Sequence, residues 1–187
     1  MTRDLIVTEN ITVDSVIDAA GNWFAPSGAE TDDAAAEMRA VEERLRSTAD
    51  ALLVGRETFE AFRSYWPNQT DDTSGISNYL NNVDKYVVSS TLTEPEWEHT
   101  TILSGNLTDE VAALKAQNGG DIVVTGSITL VHALHGTGLV DEYRLFVYPV
   151  ALGRGRRLFE EPVDQPDLHL VEAHPFNSGV VLLRYRT

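Results

Sequence analysis

The sequence predicts an α/β fold: a mostly parallel central sheet flanked by helices, with a C-terminal antiparallel hairpin. Three observations carry this. Over the first two-thirds of the chain, short apolar, β-branched runs such as Ile122, Val123, Val124 and Thr125 alternate with stretches whose apolar residues recur at helical spacing. Alternation of that kind builds parallel sheets through right-handed crossovers. From Glu142 onward the pattern changes to strand-like segments joined by turns. The 187 residues, 42% of them hydrophobic, suffice for one core, so residues 1–187 are expected to form a single domain.

Residues 5–8 read as the first strand, and 10–17 continue it with apolar residues alternating at Ile11 and Val13. The loop 18–28 is rich in Gly, Pro, Asn and Ser yet carries Trp23 and Phe24, aromatics that either plug a core edge or line a pocket. Thr31, Asp32 and Asp33 supply N-cap chemistry for a helix to Ser47, with Met38, Val41 and Leu45 as its buried stripe. Residues 51–54 form a strand apolar on both faces. Gly55 turns it into a helix with Phe59 and Phe62 inward, ended by Tyr65, Trp66 and Pro67. A polar loop at 68–75 leads to a short helix at 76–83, then strands at 85–89 and 101–103. Thr108 is expected to cap a helix with Asp109 and Glu110 in its first turn, ending at Gly119 and Gly120. The strand 122–125, a tight turn at Gly126 and Ser127, and a helix to Leu134 follow. Residues 142–148 form a strand stopped by Pro149, a basic glycine loop spans 152–157, and segments 168–173 and 180–185 flank the hairpin connection 175–179.

Composition narrows the function. Cysteine is absent, which excludes disulfides, thiolate metal sites and a cysteine nucleophile, and suits a cytoplasmic protein. No signal-peptide core opens the chain and no apolar run reaches membrane-spanning length, so no membrane partner is expected. A net charge of −15 argues against nucleic acid as a partner. Lys85 and Lys115 are the only lysines, so almost all positive charge is arginine, the better fork for phosphate or carboxylate.

Three strand-to-helix junctions share one design. Val54 leads to Gly55, Arg56, Glu57 and Thr58; Val88 leads to Ser89, Ser90 and Thr91; Thr125 leads to Gly126, Ser127, Ile128 and Thr129. In a parallel sheet all three lie at the carboxyl ends of strands, where open α/β sheets bind ligands. Small and hydroxyl-bearing residues there let backbone approach a phosphate, although any one junction is equally an ordinary turn. Neither a GxGxxG fingerprint nor a P-loop occurs.

The segments Val54-Gly-Arg-Glu-Thr-Phe-Glu60, Lys85-Tyr-Val-Val-Ser-Ser-Thr-Leu92, Asp121-Ile-Val-Val-Thr-Gly-Ser127 and the block from Gly138 to Phe159, with its Gly-Leu-Val-Asp-Glu opening and Pro-Val-Ala-Leu-Gly-Arg-Gly centre, span nearly the whole chain. In them the chain resembles the dihydrofolate reductase-like superfamily, and within it the C-terminal reductase domain of riboflavin-biosynthesis enzymes. The resemblance implies NADPH as cofactor. Gly55, Arg56 and Thr58 would meet its phosphates, and Ser89, Ser90 and Thr91 the adenosine 2′-phosphate side. Gly126, Ser127, Ile128 and Thr129 would hold the pyrophosphate, and Asn10 and Ile17 would approach the nicotinamide. Where the family often has further glycines, this chain has Ser127.

The resemblance further implies hydride transfer to a small heterocyclic substrate, pterin- or pyrimidine-like, and a homodimer formed through the late strands. Folate-reducing members carry a carboxylate near the helix after the Trp-containing loop. Glu30, Asp32 and Asp33 lie near that point, although helix capping also accounts for the two aspartates. Asp14, in Thr12-Val-Asp-Ser15, is a further candidate, better suited to fixing a turn than to moving a proton. The alternative is a non-catalytic NADPH- or nucleotide-binding or sensing protein, consistent with the lack of an obvious proton donor. No metal is expected: His132 and His135 are spaced i,i+3 on a helix with Glu142 downstream, but no third ligand is evident. No nucleophile-elbow motif supports a hydrolase. Arg154, Arg156 and Arg157 either reach a substrate anion or offset neighbouring acids.

Overall fold

The computed structural model describes residues 2–20, 23–24, 32–72, 74–160 and 167–187, and in the first helix side chains from Ala36 onward. Its strands are β1 (Leu5–Thr12), β2 (Ala49–Gly55), β3 (Asp84–Val88), β4 (Thr100–Leu103), β5 (Asp121–Val124), β6 (Glu142–Tyr148), β7 (His169–Pro175) and β8 (Val181–Arg186). They form one sheet in the order β4-β3-β2-β5-β1-β6-β8-β7. The helices are α1 (Asp32–Arg46), α2 (Arg56–Tyr65), α3 (Ile76–Asn82), α4 (Leu107–Lys115) and α5 (Ile128–Leu134). Among the described residues, no helix is long and apolar enough to cross a membrane.

The apolar runs become the inner strands because they are covered on both faces. In β2, Ala51 and Leu53 join Leu5, Val7, Ile122 and Val124 in the core beneath α4 and α5. Leu52 and Val54 point the other way, into a cluster with Phe59 of α2 and Leu80 of α3. A third cluster packs Met38 and Leu45 of α1 on Phe146 of β6 and Leu182 of β8.

Several details depart from the sequence pattern. β1 stops at Thr12 rather than continuing to Ile17, because the chain turns: Ser15 has φ 69°, and Thr12 Oγ1 accepts the Val16 N–H at 2.9 Å. Only an isolated bridge from Val16 to Arg157 follows. β6 pairs parallel to β1, so the first reversed strand is β8. The cap of α4 is Asn106, whose side chain accepts the Asp109 N–H at 3.2 Å, rather than Thr108. α4 ends at Lys115, before the Gly119–Gly120 pair; Gly120 instead donates its N–H to Asp50 at 2.8 Å.

Two buried charges help fix the sheet. Lys85, 1% exposed, donates from Nζ to the carbonyls of Leu80 and Val83 at 2.8 and 2.9 Å and lies 4.7 Å from the centre of the Trp97 ring. Burial pulls its amine down to about 8. Glu142, also 1% exposed, accepts from Arg144 at 2.7 Å and from Arg184 at 2.8 Å, tying β6 to β8. Burial alone would push this carboxyl up, but the hydrogen bonds from Arg184 and Arg144 hold it below the ordinary glutamate range.

Glu142→Ala is expected to destabilise the fold by about 3 kcal/mol, since it takes the nearest carboxylate from the buried Arg144, leaving it the Leu45 carbonyl and the more distant Asp121, and unties Arg184 from β6; urea unfolding would measure this. The stabilisation from Glu142 is fully present above its unfolded-state value of about 4.3 and is lost as pH falls below it. In Glu142→Gln that acid-side loss should be shallower.

Candidate functional site

β1 and β2 are not neighbours, because β5 lies between them. The turns that follow β2 and β5 therefore meet at the carboxyl edge of the sheet. A Cβ on Gly55 would lie 2.3 Å from Ser127 Oγ, so only glycine fits there. Gly126 has φ 67°, and a Cβ there would come within 3.0 Å of Thr58 Oγ1. The Gly126–Ser127 peptide bond is cis. Gly55 starts α2 with no side-chain cap, leaving the first N–H groups of that helix open. Ser127 caps α5 itself, its Oγ accepting the Leu130 N–H at 3.4 Å, so part of its hydrogen-bonding capacity is already committed.

Around these turns lies a cleft of about 520 Å³. It brings together Asn10, Ile17, Thr58, Gly126, Ser127, Ile128 and Thr129 from the sequence-based set. Phe24 lines it as well, while Trp23 anchors the same turn by donating from Nε1 to the Asp18 carbonyl at 2.7 Å. Arg156 reaches the cleft and donates to Thr129 Oγ1 at 3.4 Å. A neighbouring groove of about 350 Å³ gathers Arg56, Ser89, Ser90 and Thr91 with Ser104 and Gly105. Arg56 thus sits with the third-strand hydroxyls, and its guanidinium pairs with Glu60 at 3.1 Å across an exposed helix turn. Ser89 Oγ is used locally, accepting the Leu92 N–H at 2.9 Å, whereas Ser90 and Thr91 are exposed. These glycine-lined turns and the arginine beside exposed Ser90 and Thr91 fit a phosphate-bearing dinucleotide.

A second cavity, about 260 Å³ and mainly apolar, opens on the other face of the sheet beneath α1, α2 and α3. Leu52, Phe62, Trp66, Ile76 and Tyr79 form its walls. Thr8 and Asn10 of β1 reach it, as do Glu42 and Arg46 of α1, which pair at 3.7 Å. Asn10, Phe62 and Thr125 line both spaces, so the cleft and the cavity meet there.

Of the carboxylate candidates, Glu30 lies outside the described residues, and so do the side chains of Asp32 and Asp33. Asp14 accepts Thr12 Oγ1–H at 2.6 Å and the N–H groups of Leu152 and Gly153 at 3.2 and 2.7 Å. The Thr12 hydroxyl, then Gly153, hold it down to about 2. It ties the turn after β1 to the 152–157 loop and stays ionised.

Sequence reasoning missed Glu42 and Glu9. Glu9 lines the cleft and accepts the Gly126 N–H at 3.2 Å. Burial pushes its carboxyl up to about 8, only partly offset by that N–H. A signal existed: with Leu5, Val7 and Ile11, Glu9 occupies the period-two apolar row of β1. His132 donates from Nε2 to the Arg157 carbonyl at 2.8 Å, and His135 lies 4.9 Å from the Phe159 ring. Burial, then the nearby His132, pulls His135 down to about 4. Among the described residues, no three His, Asp or Glu side chains gather to hold a metal.

The sequence pattern of the RibD C-terminal domain matches residues 3–182. The uncharacterised protein YyaP of Bacillus subtilis is 35% identical over 138 residues, 73% of this chain and 73% of that protein. Among solved structures, a pyrimidine reductase-like protein from Corynebacterium diphtheriae superposes with a TM-score of 0.66 at 18% identity, covering 98% of this chain and 91% of that one. Dihydrofolate reductase from Enterococcus faecalis, solved with NADP(H), gives 0.64 at 16% identity, covering 100% and 98%. The fold is therefore dihydrofolate reductase-like, and the chain belongs to the RibD C-terminal domain family.

Proposed function

We propose that this protein is an NADPH-dependent reductase that transfers a hydride to a small pterin- or pyrimidine-like heterocycle. The observation that carries the reading is the junction of two spaces at Asn10, Phe62 and Thr125: a polar cleft at the strand ends and an apolar cavity on the opposite face. A cofactor in the first and a planar substrate in the second would meet there, the proximity that hydride transfer requires. The solved structures of similar fold add support, one a dihydrofolate reductase with NADP(H) and the other a pyrimidine reductase-like protein.

When bound, NADPH supplies the hydride. The chain does the rest. Arg56, Ser90 and Thr91 would take the adenosine 2′-phosphate, while α2's open N-terminus and Thr58 would take the pyrophosphate. Leu52, Phe62, Trp66 and Ile76 exclude water from the substrate, and Glu42 offers a carboxylate to its polar edge. Assembly as a homodimer through the late strands is part of the same proposal: β7 is an edge strand with Leu170 and Val171 54% and 50% exposed.

A fluorescence titration should find NADPH bound more tightly than NADH, and binding of neither would end the reductase reading. Tight NADPH binding with no oxidation by any pterin, pyrimidine or quinone would favour a sensor instead. Arg56→Ala should weaken NADPH about tenfold, the loss of one charge-assisted hydrogen bond, and leave NADH nearly unchanged. Equal effects on both cofactors would move the 2′-phosphate elsewhere. Leu170→Glu should halve the mass seen by light scattering if the late strands pair the protomers.

A further inference from the structure

Glu9 stands where strand alternation calls for an apolar side chain. Leu5, Val7 and Ile11, on the same side of β1, enter the core, and Glu9 carries their row to the edge of the cleft. Opposite it in the β1–β6 register is Leu145, which is apolar and buried. Glu9 Oε1 accepts the Gly126 N–H, and among the described residues no arginine, lysine or histidine pairs with Glu9. The other charged side chains lining the cleft are Asp18 beyond β1, Glu57 on α2 and Arg156 in the 152–157 loop; α5 adds only His132, which is turned to Arg157.

A carboxylate in that position would face a ligand that itself carries several negative charges. A neutral carboxyl avoids the repulsion and keeps one O–H to donate. Glu9 does not line the heterocycle cavity, which Thr8 and Asn10 reach instead. It is therefore a cofactor-side group, separate from any proton supply to the substrate.

We propose that Glu9 is a positioning residue acting as a neutral acid, its O–H donated to an uncharged acceptor of the bound dinucleotide, an amide carbonyl or a ribose hydroxyl, while Gly126 holds its other oxygen. This rests on the NADPH reading of the cleft. Cofactor binding then requires the protonated form, which desolvation of the carboxyl on this half-buried side chain favours, pushing it up to about 8.

The test combines two measurements. Infrared spectra of the cofactor-free protein should show a protonated-carboxyl band at pH 7 that fades by pH 9.5 and is missing from Glu9→Gln. NADPH affinity of the wild type should fall about tenfold between pH 7 and pH 9. Glu9→Gln, which keeps shape and a donor without a titrating charge, should bind as the wild type does at pH 7 and lose that dependence. Tight wild-type binding with the same pH profile as Glu9→Gln, or no protonated-carboxyl band at pH 7, overturns the role of Glu9 and leaves the cofactor seat standing. Failure of the folded wild type to bind NADPH at any pH overturns the seat and this role together.

Discussion

Because β5 is inserted between β1 and β2, the turns ending β2 and β5 must pass each other at van der Waals distance, and the whole carboxyl edge of the sheet depends on that contact. Gly55 yields its side-chain volume to the Ser127 hydroxyl, and Gly126 yields its own to Thr58. The close approach brings Thr58, Gly126 and Ser127 together in the lining of the cleft. Arg56 and Arg156 then supply charge from either side.

β1 divides the chemistry between the two faces of the sheet. Its successive side chains alternate, so Glu9 faces the polar cleft while Thr8 faces the apolar cavity, and Asn10, shortly before the strand stops at Thr12, borders both. One strand thereby sets the spacing between the two spaces. The Asp14 carboxylate fixes the exit of this strand against the 152–157 loop, which presents Arg156 to the cleft.

What the sequence makes legible is local. The both-faces-apolar run at 51–54 identifies a central strand because its burial is written residue by residue. The strand-to-helix junctions are visible as small residues at Gly55, Ser90 and Gly126 directly after apolar runs, although the sequence alone does not separate a ligand seat from an ordinary turn there. The α4 cap is less so: Asn106 and Thr108 are both good caps, and only the hydrogen bond to Asp109 separates them. The apolar cavity is illegible, since it exists only where residues from β1, α1 and α3, tens of positions apart, converge. Glu9 is an intermediate case: its place in an apolar row was visible, but the meaning of the exception depends on the Gly126 N–H arriving from 117 residues away.

The lysines give the molecule an unusual chemical profile. Lys85 is sealed under Trp97 with its amine donating to two carbonyls, and Lys115 is ion-paired with Asp141. With no other lysine in the chain, amine-directed cross-linkers and acylating labels meet no freely exposed lysine on the folded protein. Any increase in lysine labelling would report opening of the β3 or α4 region rather than surface accessibility, which makes the two side chains built-in indicators of local unfolding.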